Sequence, residues 1–70
     1  MIPLLFATPG EENIIKKIGG NAEAKLHLEN LGFVTGGTVT IISELGGNLI
    51  VNVKDSRVAV SSEMAGKIMI

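Results

Sequence analysis

Nine glycines divide this chain of 70 residues, and their placement limits the fold more than any other feature. Gly10, Gly19-Gly20, Gly32, Gly36-Gly37, Gly46-Gly47 and Gly66 leave no block between them long enough to be a domain. Short segments bounded by turns point to one small, mostly β domain over residues 1–70. A chain of this length buries only about 60% of its unfolded surface. The core must therefore come from aliphatics. Hydrophobic residues make up 46% of the chain, but aromatics only 3%, namely Phe6 and Phe33.

The local patterns set the element order. Pro9-Gly10 marks a turn and leads into Asn13–Ile18, a β-favouring run in which Ile14 and Ile15 compete for the inward face. Asn21 is placed as a helix N-cap, with Glu23 in the first turn, where the helix dipole favours a carboxylate. Ala24, Leu28 and Leu31 stand at i, i+4 and i+7, one buried stripe. Gly32 falls at the left-handed position after the helix, and Phe33 can pack back onto Leu28. From Thr38 the period changes to two. Val39 and Ile41 point one way, then Leu49, Val51 and Val53, then Val58 and Val60. Gly46-Gly47 and Asp55-Ser56 are the two tight turns of this meander. Ser61 or Ser62 caps a helical turn through Glu63, Met64 and Ala65, and Lys67–Ile70 closes the chain as a strand. The expected order is strand, short helix, three-stranded meander, helical turn, strand. Such a sheet hides its edges by curling into a small barrel. Leu4, Leu5 and Phe6 are expected to cover its open end.

Composition excludes several functions. With no cysteine there is no disulfide framework, thiol chemistry or cysteine-based metal site. Six basic against seven acidic residues give a net charge of −1, which does not attract nucleic acid or an anionic bilayer. Mean hydropathy is high, +0.44. Yet the longest apolar stretches, such as Leu4–Ala7, fall far short of the ~20 residues that cross a bilayer. The start lacks the charged region of a signal peptide, so the chain is read as cytoplasmic.

No set of residues assembles into a catalytic centre. His27 is the only imidazole, and it sits at the flank of the helical stripe as a boundary residue half covering the core. Glu23 lies one turn before it, and a Glu–His pair at that spacing can hold a divalent ion such as Fe(II) weakly and exchangeably. No cofactor is required. Glu11-Glu12 read as a solvated loop, Lys16-Lys17 as edge protection, and Ser61-Ser62 as a cap with no histidine nearby to activate it. Gly19-Gly20 lacks the Lys-Ser/Thr ending of a phosphate loop. Leu26 lies nearly opposite the buried stripe and faces water, and Leu45 and Ile50 face outward beside the Gly46-Gly47 turn. As one patch these three form a protein-contact surface. Surplus hydrophobicity without a reactive set favours an interaction module over an enzyme. The exposed edge and surplus aliphatics also allow self-association.

At this point a family emerges. Pro9-Gly10-Glu11, the Ile-rich run ending at Ile18-Gly19-Gly20, then Leu28-x-x-Leu31-Gly32-Phe33 with Gly36, resembles the FeoA proteins of bacterial ferrous iron transport. Leu49-x-Val51-x-Val53, Arg57–Val60, Glu63–Ala65 and Ile68–Ile70 continue the match in order along nearly the whole chain. Three departures stand out. Val34-Thr35 replaces the family's usual Thr-Pro, the Gly46-Gly47 tip is shorter, and Lys25, Leu26 and His27 stand where the family's helix often carries arginines.

The resemblance implies an SH3-like barrel similar to the C-terminal domain of iron-dependent repressors. It implies a cytosolic accessory role beside FeoB, the membrane transporter with a GTPase domain, and FeoA domains are often associated with transition metals. It supplies no catalytic residues. Two further readings compete with the docking module. One is a metal sensor or delivery domain that uses His27 and Glu23. The other is a repressor fragment without its reading head, for which nucleic-acid binding by this chain alone is not expected.

Overall fold

A computed structural model of the chain describes residues 1–70. The run expected as one strand is two: β1 (Glu12–Ile14) and β2 (Lys17–Ile18). Ile15 is the corner between them. Its amide donates to the Gly37 carbonyl at 2.8 Å, its carbonyl accepts from the Gly36 amide at 2.8 Å, and the next amide, Lys16, donates to Met69 in the other sheet. The isoleucine pair is thereby explained. Ile15 is fully buried at the corner and Ile14 is 58% exposed on the preceding strand.

The helix forms where expected. In α1 (Ala22–Asn30) the Asn21 side chain accepts from the Ala24 amide at 2.8 Å. At the other end, Gly32 adopts φ +108°, its amide donates to Glu29, and Phe33 donates to Leu28 at 3.0 Å. These are the two bonds of a Schellman cap. Leu28 and Phe33 are both fully buried, whereas Ala24 and Leu31 are only half-buried. A nine-residue helix that buries a single side chain is held to the body mainly through its C-terminal end.

The meander comprises β3 (Thr38–Leu45), β4 (Asn48–Val53) and β5 (Ser56–Ser61). With β1 it makes an antiparallel four-stranded sheet in the order β1-β3-β4-β5. Val39, Ile41, Leu49, Val51, Val53 and Val60 point into the core as the two-residue period requires, and Val58 is half-buried. A bulge follows Ile41, so that Ser43 rather than Ile42 pairs with Ile50. Gly46 and Gly47, at φ +59° and +84°, form the first two-residue turn. The second turn is Lys54-Asp55, with φ +50° and +60°, one residue earlier than expected. The register Val53↔Ser56 leaves Ser56 in the strand.

After β5 comes α2 (Ser62–Ala65), capped by the Ser61 hydroxyl accepting from Met64. Then β6 (Ile68–Met69) pairs with β2 in a second, two-stranded sheet. The N-terminal residues run alongside β6, with Ile2 and Ile70 exchanging both backbone bonds. The fold is the SH3-like one. Its ladder does not run full circle, because β5 and β6 are unpaired and α2 spans the interval between them. A short 3-10 turn over Leu4–Phe6 covers one end of the core with Leu4, which is fully buried. Phe6 was expected to share that task and does not. It is 71% exposed, because the side chains of so tight a turn fan out in different directions, while Leu5 stays half-buried against the core.

Candidate functional site

The helix that buries so little on one side leaves a broad surface on the other. Residues of α1, together with Met64 of α2, line a wide-open hollow of about 550 Å³. Glu23, Ala24, Leu26, His27 and Asn30 line it from the helix, Asn21 from the cap, and Met64 from α2. Leu26 is 60% exposed on a helix whose other exposed side chains are mostly polar. Met64, half-buried, lends the floor an apolar side chain.

Two of the residues singled out in sequence, Glu23 and His27, meet in this hollow together with Leu26. His27 is exposed, contrary to the expectation that it half covers the core. Leu28 is the one fully buried residue of the helix, and its neighbour in sequence is turned to solvent. No group of three or more His, Cys, Asp or Glu side chains gathers anywhere in the chain. Glu23 and His27 therefore do not complete the four-ligand set of a structural zinc site, nor the three protein ligands of a catalytic one. They suit at most an exchangeable ion that keeps most of its water.

Leu45 and Ile50 lie elsewhere. Neither lines the hollow. The pairs Leu45↔Asn48 and Ser43↔Ile50 place them diagonally on the outer face of the β3–β4 hairpin. Leu45 is 72% exposed at the tip and Ile50 is half-buried. The tip is anchored to the body through the Ser62 amide, which donates to the Gly47 carbonyl at 3.1 Å. The motif Leu28, Leu31, Gly32, Phe33 and Gly36 forms the hinge between helix and sheet. Gly36 is held by Ile15, Gly32 by Glu29, and the aliphatic stem of Lys54 lies over the Gly32 α-carbon. Sequence reasoning missed the exposed apolar residues Ile14 and Ile42. Each belongs to an isoleucine doublet at an irregularity of the sheet, and the doublets were the available signal.

The fold and the hollow define a small SH3-like domain with a lightly attached helix. The comparisons then fix the family. The FeoA domain model matches residues 2–70. This chain belongs to the FeoA family, which is associated with ferrous iron transport. A protein of Methanocaldococcus jannaschii that bears the name of an Fe(2+) transport protein A is 37% identical over 70 residues, all of this chain and 85% of that one. The crystal structure of an iron uptake regulatory protein, FeoA, superposes with TM-score 0.88 at 31% identity, covering 97% of this chain and 90% of the other. FeoA of Stenotrophomonas maltophilia, solved with zinc, has TM-score 0.83 at 23% identity over 99% of this chain and 88% of its own, and confirms the SH3-like fold. No helix is long and apolar enough to cross a membrane.

Proposed function

We propose that this chain is a cytoplasmic accessory protein of ferrous iron uptake, a binding module and not an enzyme. In this reading it docks on the cytosolic, GTPase-bearing part of a FeoB-like transporter. The observation that carries the reading is the uncovered helix. In a chain of the FeoA family, α1 buries Leu28 alone and turns Leu26 outward beside Met64. An exposed leucine on a hollow that Ala24 and Met64 also line suits an apolar side chain of a partner. The module regulates the transporter by binding one of its conformations better than another, since equal affinity for both would shift nothing. The test is to titrate the isotope-labelled chain with the soluble domain of the transporter. Amide shifts centred on Asn21–Asn30 and Met64 are expected. Binding that leaves those resonances unmoved would refute the placement.

The second reading is a transition-metal sensor or delivery domain. One observation favours it: Glu23 and His27, one helical turn apart, line the same hollow. The S. maltophilia relative was solved with zinc. With two ligands from this chain, the metal would serve as a bridge or a transient passenger.

A further inference from the structure

Strand β5 is a free edge. β4 lies along one side of it, and no strand lies along the other. Because β5 follows β4 through a two-residue turn, Val53 and Ser56 form a hydrogen-bonded pair, and the bonding alternates along the strand from there. Ser56, Val58 and Val60 aim their amides and carbonyls at β4. Arg57 and Ala59 aim theirs outward, as does the Ser61 amide. Arg57, Ala59 and Ser61 are all exposed, and none of their amides makes a backbone bond in a turn, loop or cap. Natural edges are blunted by proline, inward charges, a bulge or a covering helix. β5 has no proline and a single charge, Arg57, the bulge lies on β3, and the four-residue α2 begins only at Ser62, beyond the outward-bonding residues.

We propose that β5 pairs antiparallel with β5 of a second copy of this chain, about a two-fold axis through Ala59. The strand's own sequence argues for this occupant. Val58-Ala59-Val60 reads the same in both directions. The axis sets Ala59 against Ala59 of the second copy, Val58 against its Val60, and Arg57 against its Ser61. Every outward-bonding residue then meets another outward-bonding residue, so the register is a hydrogen-bonded one. Arg57 faces a serine rather than its own charge, and a net charge of −1 per chain opposes association little. The two four-stranded sheets join into one continuous sheet. An edge of six residues buries well under the ~1,000 Å² of a stable interface, so the dimer is weak and forms at high concentration.

Sedimentation equilibrium and amide spectra of the full chain, diluted from about 1 mM, test this. The mass is expected to rise toward that of a dimer at the top of the series, with concentration-dependent shifts confined to residues 57–61. Ala59→Asp sets like charges together at the axis and is expected to weaken association at least tenfold, as is Ala59→Lys. An equimolar mixture of the two variants is expected to associate again, and dispersed spectra show that each remains folded. A chain monomeric throughout, shifts that map to α1 or β1 instead, or a mixture that fails to restore association would each overturn the proposal.

Discussion

The Phe33 amide donates to the Leu28 carbonyl at 3.0 Å, and both side chains are fully buried. One bond and one buried pair therefore fix where the helix stops and how it is seated. Because α1 buries no other side chain completely, this junction also sets the direction in which Leu26 and His27 face. The proposed docking surface depends on a cap that lies on the opposite side of the helix.

Phe33→Ala is expected to remove roughly half of the stability while leaving most of the population folded at room temperature. Truncating a buried phenylalanine costs about 3–5 kcal/mol. A domain of this length has a total stability of only about 4–10 kcal/mol. Phe33→Leu, which keeps most of the volume, is expected to cost less than half as much. Urea unfolding followed by circular dichroism separates the two. Equal losses would mean that Phe33 is not the centre of the core.

Gly32→Ala tests the cap without removing any core volume. A methyl group there meets only the Lys54 stem, at 3.5 Å or more, which is ordinary contact. The cost is the backbone conformation, φ +108°, at about 1–2 kcal/mol. Asn21→Ala, at the other end of the helix, is expected to cost about 1 kcal/mol through the lost bond to Ala24. Amide exchange in α1 is expected to accelerate in both variants. If Gly32→Ala proved neutral, the helix would not end in the conformation described.

These positions also show which features the sequence encodes openly. The helix was legible at both ends because its cap residues, Asn21 and Gly32, act through local chemistry, and the meander because its valines keep strict alternation. The break between β1 and β2 was not legible. It is imposed by Gly36, Gly37 and Met69, all far along the chain from Ile15. The second turn slipped by one residue because Lys54 and Asp55 take positive φ without glycine, which local preference argues against. The two ligand candidates were legible as a pair from their four-residue spacing. Met64, which completes the hollow, was not, because it arrives from another element through the fold.

Asp55→Gly is expected to stabilise the protein. Asp55 holds φ +60° in a two-residue hairpin turn, where glycine is free of the side-chain penalty. Relief of about 1–2 kcal/mol is partly offset by the greater freedom of glycine in the unfolded chain, for a net gain of about 0.5–1 kcal/mol. The check is an upward shift of the thermal midpoint. A downward shift would show that Asp55 makes a compensating interaction.

Leu26→Glu is expected to separate docking from folding. The side chain is 60% exposed, and leucine and glutamate have similar helix propensities, so stability is expected to change by less than about 0.5 kcal/mol. Affinity for the transporter's soluble domain is expected to fall by about tenfold or more, the usual effect of truncating an apolar anchor. Calorimetry on both proteins reads the two effects independently. Unchanged affinity in a folded variant would move the docking surface away from α1.

A metal titration decides what Glu23 and His27 do. Two ligands on one helical turn, with no third His, Cys, Asp or Glu gathered to them, leave most of a divalent ion's coordination to water. Binding is therefore expected to be weak and in fast exchange. Adding Mn(II) as a paramagnetic stand-in for Fe(II) is expected to broaden the resonances of Asn21–Asn30 and the Met64 methyl in proportion to the ion added. His27→Ala is expected to abolish the effect at unchanged stability, since the imidazole is exposed. Stoichiometric binding in slow exchange would require ligands beyond these two, supplied by a second copy or by a rearranged helix. It would make the metal a structural partner of this domain rather than a passenger on its surface.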